Sequence, residues 1–186
     1  WKEKLKIVSR TGKELWVIAT GKPLYKDDIY IGLIGTIQDV TEANISHQRS
    51  TESENLLRTV VDNLPLNVYI KDLESRKILV NKAECAYLGV SDADELLGKS
   101  DFELYNRQIA QESRDEDLFV LNNGTPLLGK ETISVRKDGK VTHFLSSKIP
   151  LFDEDGEVYG LLGLSMDISD LKQKESELRQ LIDVSS

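Results

Sequence analysis

The chain has a single cysteine, Cys85. That excludes a disulfide framework and a cysteine-ligated metal centre within one chain, and it suits the cytosol, so the expected localisation is cytoplasmic. Histidine is almost as scarce, with only His47 and His143. No apolar run approaches the roughly 20 residues that span a bilayer, so no membrane segment is expected here. The phosphate-cradling Gly-x-Gly-x-x-Gly and Walker loops are missing, as are His-Glu-x-x-His and Gly-x-Ser-x-Gly. No catalytic residue is therefore assigned. Basic side chains are outnumbered 24 to 32, for a net charge of −8. A nucleic-acid binder needs a basic face to displace phosphate counterions, so no nucleic-acid partner is expected. There is no charged-then-apolar leader and no initiating Met before Trp1. The chain is expected to be a piece of a longer protein.

What is present fits an ordinary folded protein of one to two domains, with 39 % hydrophobic and 30 % charged residues in 186. The charge is uneven. Residues 1–26 carry seven basic and two acidic side chains, whereas residues 92–117 carry nine acidic and three basic. The basic stretch reads as a solvated sheet edge guarded by lysine. The run Arg114-Asp-Glu-Asp117 reads as a solvated helix face, because adjacent helical positions fan around the axis.

Part of the sequence occurs twice. At a shift of 127, Val8, Gly12, Lys13, Pro23, Leu24 and Asp28 fall on Val135, Gly139, Lys140, Pro150, Leu151 and Asp155. One inserted residue, Gly156, moves the shift to 128, and Gly32, Leu33, Gly35 and Asp39 then fall on Gly160, Leu161, Gly163 and Asp167. Residues 1–41 are the tail of one unit, 42–61 a connector helix, 62–169 a complete second unit and 170–186 an exit helix. Three strands alone bury little surface, so the first unit is expected to be completed by upstream residues or by another chain.

Thr41 can cap the connector helix, whose end is apolar at Leu56, Leu57, Val60, Val61 and Leu64 before Pro65 stops it. Short strands are expected at 67–71 and 77–80, and a helix at 82–88. A second helix capped by Ser91 ends at Gly98, and a turn follows at 101–104. The spacing predicts a longer helix over 106–122 with Ile109, Leu118 and Leu121 inward, ended by Gly124. Three strands follow at 127–137, 140–151 and 157–167, joined by turn signals at 137–140 and 153–156. Runs of one element type argue for an α+β fold with an antiparallel sheet.

The stretches Asp62-Asn-Leu-Pro65-x-x-Val68-Tyr-Ile-Lys-Asp72, Val80-Asn81-Lys-Ala83, Leu88-Gly89 and Glu95-Leu-Leu-Gly98-Lys, in this order, resemble the PAS family. So do Val120-Leu-x-x-Gly124-x-Pro126, Pro150-Leu-x-Asp-x-Asp-Gly156 and Gly160 to Asp167-Ile-Ser169, the last similar to the Asp-Ile-Thr ending of the family's PAC motif. The first copy ends Asp39-Val-Thr41. The resemblance covers essentially the whole chain, as a tandem PAS module of bacterial-type signalling proteins such as sensor histidine kinases. It implies a PAS fold, a five-stranded antiparallel sheet with short helices on one face, preceded by a three-strand remnant of another unit. It further implies a sensory, dimerising role upstream of an output domain in the same parent chain, a histidine kinase or else a diguanylate cyclase.

The resemblance also implies which positions face the pocket: Tyr69, Lys71, Ser134, Phe144, Ser146 and Ser165 from the strands, with Phe102 and Ile109 from the helices. Such a lining suits a small polar or anionic metabolite. The other reading is a core filled by its own side chains, with Tyr69 and Lys71 reaching solvent. Flavin photochemistry is not expected, because Gly98-Lys-Ser-Asp101-Phe102 has Asp where the family's flavin class has its reactive Cys. Haem ligated by His is not expected either, because helix 106–122 has no His. His143 is read as a packing residue, in phase with Leu145 and Ile149 and matched by Trp16 in the first copy. Ser46-His47-Gln-Arg49 faintly resembles a kinase phosphoacceptor box, but a PAS unit follows it at once, so His47 is not expected to accept phosphate. Cys85 reads as a small buried hydrophobe.

Asp167, Ile168 and Ser169 are the expected signal relay into the exit helix, where Leu171, Leu178 and Leu181 have heptad spacing. A homodimer through the flanking helices and the outer sheet face (Trp16, Ile18, His143, Leu145 and Ile149) is expected. Two readings remain at this stage, a ligand-sensing module and a pure interaction module with a filled core.

Overall fold

The computed structural model describes residues 1–136 and 139–184, and it divides into two units, Trp1–Arg58 and Thr59–Ser186. In the first, β1 (Lys2–Val8), β2 (Glu14–Lys26) and β3 (Ile29–Asp39) form an antiparallel sheet in that order. Only Val17, Ala19 and Gly21 are buried in this unit. The helix α1 (Thr41–Asp62) begins in it and buries none of its residues, so Leu56, Leu57 and Val60 stay exposed.

The second unit contains β4 (Asn67–Lys71), β5 (Lys77–Val80), α2 (Lys82–Leu88), a 3-10 turn at Ala93–Glu95, α3 (Asp101–Leu104) and α4 (Arg107–Asn123). Strands β6 (Leu127–Val135), β7 (Val141–Phe152) and β8 (Val158–Asp167) follow, then α5 (Ser169–Val184). The five strands form one antiparallel sheet in the order β5-β4-β8-β7-β6. This is the expected α+β PAS architecture. Its apolar core gathers Tyr69, Val80, Cys85, Leu96, Val120, Leu121 and Leu161.

Local chemistry explains the element ends. The Asn81 side chain accepts the Glu84 N–H and caps α2, and Gly89 closes that helix with φ +73°. Asn106 caps α4 and Gly124 ends it. Three expectations are corrected. Asp92 rather than Ser91 caps the 3-10 turn, because its carboxylate pairs reciprocally with Glu95 across a capping box. On α4 the expected Leu121 is buried and Ile109 and Leu118 are half-buried, but Ala110, Asp117 and Val120 are buried as well, so the inner face includes an acid. Strand β6 ends at Val135, and the 137–140 turn signal lies partly outside the described residues.

The internal repeat is also a repeat of backbone geometry. The Trp16 carbonyl accepts the Val40 N–H at 2.8 Å, and the Trp16 N–H donates to Thr41 Oγ1 at 2.8 Å. In the second unit the His143 carbonyl accepts the Ile168 N–H at 2.8 Å, and the His143 N–H donates to Ser169 Oγ at 3.1 Å. Asp39 and Asp167 each accept the N–H two residues on, at 2.9 Å in both cases. The one-residue insertion has a cause in turn type. The first copy turns through Asp27 and Asp28 at φ 49° and 62°, the left-handed pair of a two-residue hairpin. The second takes a longer turn in which Asp153 Oδ1 accepts the N–H groups of Asp155 and Glu157, with Gly156 at φ +83°.

Close strand approach depends on two glycines of β8. A Cβ at Gly160 would lie 2.5 Å from the Lys71 carbonyl oxygen, and one at Gly163 would lie 2.1 Å from the Tyr69 ring. Substituting Gly160→Ala forces β4 and β8 apart. A loss of about 1–3 kcal/mol in urea denaturation is expected, and an unchanged midpoint would show that the pairing can give way without cost.

Candidate functional site

Alternation along the strands sets the chemistry of the inner sheet face. On β4, Asn67, Tyr69 and Lys71 face the helices, and on β7, Phe144, Ser146 and Lys148 do so. Two of these are lysines with 0 % and 4 % exposure, which an apolar core could not tolerate unpaired. The helices supply the acids. Lys71 Nζ donates to Asp101 Oδ2 of α3 at 2.5 Å and to Asp117 Oδ2 of α4 at 2.7 Å. Lys148 Nζ reaches the other Asp117 oxygen at 2.6 Å, Glu116 at 3.1 Å, and the Ser113 carbonyl and hydroxyl at 2.8 and 2.9 Å. A third buried pair joins Lys77 of β5 to Glu84 of α2 at 2.7 Å. The Tyr69 ring lies between two ammonium groups, 4.0 Å from Lys77 Nζ and 5.2 Å from Lys71 Nζ.

The protonation states follow from this wiring. Burial pushes the Asp101 carboxyl up, but the Lys71 and Lys77 ammonium groups outweigh it and hold the group at about 2. Burial pushes the Lys71 ammonium down, but Asp101 and Asp117 overcome that and leave it above its ordinary value. The Tyr69 and Tyr105 phenols are both raised well above theirs, first by burial and then by surrounding carboxylates. Near neutral pH the Lys71–Asp101 pair is charged and the two phenols are neutral.

Next to this network lies a cavity of about 330 Å³. Tyr69, Ile109, Ser134, Phe144, Ser146 and Ser165 all line it. Across its sheet wall runs a chain of hydroxyls, Thr132 Oγ1 to Ser146 Oγ at 3.1 Å and Ser146 Oγ to Ser165 Oγ at 3.0 Å. The Tyr87 hydroxyl donates to Ser134 Oγ at 2.8 Å, and its ring meets Phe144 edge-on at 5.0 Å between centroids.

Two sequence expectations fail. Phe102 is 46 % exposed and does not line the cavity, because its neighbour Asp101 is the residue of α3 that turns inward to Lys71. Lys71 neither reaches solvent nor lines the cavity, since it is fully buried behind Asp101. The acidic run of α4 is likewise not all solvated, because Asp117 has 0 % exposure. Sequence reasoning also missed Lys148, Lys77, Glu84, Tyr87 and Tyr105. The phase of Lys148 with Phe144 and Ser146 was the available signal, since a lysine on an inward strand position demands a buried acid.

The three residues expected to form a relay, Asp167, Ile168 and Ser169, stand at the start of α5. Ile168 is buried, its N–H on the His143 carbonyl, while Ser169 Oγ accepts the His143 N–H. Residue 143 is thus joined by its own peptide both to the exit helix and to the cavity wall at Phe144. Lys172, one turn into α5, pairs with Glu131 of β6 at 2.7 Å.

Two family models match. One, described as a PAS fold, covers residues 61–173, and another, described as a PAS domain, covers residues 1–42. The methanogenesis regulatory histidine kinase FilI of Methanothrix harundinacea is 33 % identical over 132 residues, 71 % of this chain and 15 % of that protein. A diguanylate cyclase of Vibrio cholerae is 26 % identical over 128 residues, 68 % of this chain and 40 % of that protein. The chain thus spans less than half the length of either relative. Among solved structures, VqmA bound to DPO superposes with a TM-score of 0.55 at 25 % identity, over 61 % of this chain and 56 % of that one.

Replacing Lys71 with Met strands the buried Asp101 carboxylate and leaves Asp117 to Lys148 alone, and a loss of about 3–5 kcal/mol in denaturant unfolding is expected. The Asp101 carboxyl, ordinarily near 3.8, sits at about 2 in the fold. Its contribution to stability is present above the ordinary value and is lost as pH falls toward the lower one. Asp101→Asn should therefore flatten the acid-unfolding limb between about pH 4 and 2. A variant with the wild-type limb would show that Asp101 is not the group titrating there.

Proposed function

The chain belongs to the PAS fold family, and on that premise we propose that it is a sensory module that binds a small polar molecule in the cavity of its second unit. The observation that carries this reading is the half-open, hydroxyl-lined cavity beside a fixed charge network. A core meant only for packing would fill that space. The solved relative adds support, since a similar fold there is bound to DPO.

The signal leaves through Asp167, Ile168 and Ser169. A ligand that moves Phe144 moves the adjoining His143 peptide, and with it the two hydrogen bonds that seat α5. It can bias the helix only by its difference in affinity for the two arrangements. The output domain is a histidine kinase, as in FilI, with a diguanylate cyclase as the second candidate. The module itself carries no catalytic role.

The module works as a homodimer. Leu56, Leu57 and Val60 on α1, and Leu171, Leu178 and Leu181 on α5, are all exposed apolar side chains at helical spacing. If the dimer formed without any ligand, the chain would be an interaction module.

Native mass spectrometry of freshly purified chain, repeated after denaturation, tests the sensory reading. Extra mass lost on denaturing is the expected result, and a bare dimer would favour the interaction reading. The relay has its own test in Asp167→Ala, which removes the carboxylate that accepts the Ser169 N–H. Hydrogen exchange should speed up in 169–184 and stay unchanged in 62–166. Unaltered exchange in α5 would count against this route.

A further inference from the structure

We infer that the cavity takes a small non-anionic polar molecule, of the polyol or amino-alcohol class, rather than a carboxylate or a phosphate. This deepens the sensory reading above and rests on it. Three lysines line the cavity, and each ammonium is already committed. Lys77 holds Glu84, Lys130 holds Glu116 at 2.6 Å, and Lys148 spends its three N–H groups on Asp117, Glu116 and Ser113. An entering anion finds each ammonium already neutralised by a protein carboxylate and meets that carboxylate at close range.

The acids outnumber the bases in the lining. Besides Glu84, Asp101 and Glu116, the walls include Glu112 and Glu131, which makes five carboxylates against the three lysines. Glu131 is answered from outside the cavity by Lys172, and Glu112 by the Gln108 amide at 3.1 Å. A second anion here meets like charge in a partly desolvated space. The phenols of Tyr69 and Tyr105 are raised first by burial, and Glu84 and Asp101 add to the rise at both.

What the cavity does offer is hydroxyls. Thr132, Ser146 and Ser165 form a row in which each oxygen can donate or accept. The phenol groups of Tyr69 and Tyr105 have no hydrogen-bond partner among the described residues, which leaves two donors for a ligand oxygen. A molecule bearing several hydroxyls matches the row and the phenols, and an amine on it would meet the acidic walls.

Three probes share one six-carbon skeleton and differ in charge: sorbitol is neutral, glucamine cationic and gluconate anionic. Isothermal titration of each into the full chain, with amide shifts read at Ser146 and Ser165, gives the ranking. Glucamine is expected to bind at least about tenfold tighter than gluconate, with sorbitol between them. Glu112→Gln, an exposed helix position, should narrow that ratio. Gluconate binding as tightly as glucamine would overturn the ligand class and leave the cavity as a binding site. No binding by any of the three would overturn the ligand class and the sensory reading together.

Discussion

Lys71 holds the second unit together by being shared. Its one ammonium, with no exposure to solvent, takes Asp101 from α3 and Asp117 from α4. Asp117 in turn binds Lys148 of β7 through its other oxygen. Two strands, a four-residue helix and a long one thus meet at a single alternating chain of charges. Such an arrangement adds little net stability over well-packed apolar groups, since each ion gives up its hydration. It does fix position: α3 is four residues long and could not hold its place by helix propensity alone.

That rigidity matters to the cavity next to it. With the helices tied to the sheet by ion pairs as well as by the apolar core, the space between them need not collapse. The walls can keep hydroxyls and phenols facing open space. Glycine at 163 completes the arrangement, because it lets the Tyr69 ring lie flat across β8 under two ammonium groups.

The sequence pattern carried most of the architecture. The repeat, the strands at 67–71 and 77–80, the helix at 82–88 and the seat of the exit helix were all legible, because glycine, proline and alternation act locally. The site was legible only in part. Six of the eight pocket candidates line the cavity, yet the network beside it was invisible. Asp115, Glu116 and Asp117 are indistinguishable as letters, and only the placement of Lys71 and Lys148 beneath α4 selects the third for burial. Phe102 was misplaced by one residue for the same reason. A helix turns about 100° per residue, and the buried partner of its neighbour decides which side faces in.

The duplicated seat of the departing helix has one further consequence. In both units it is built from peptide groups at one position, donating and accepting, together with a hydroxyl and a carboxylate at the helix start. The side chain at that position takes no part in these bonds, and it is Trp in one copy and His in the other. A helix joint written in the main chain is indifferent to drift at its own residue. Each copy can retune its outer face for a different neighbour, and the joint keeps the same grammar while its vocabulary changes.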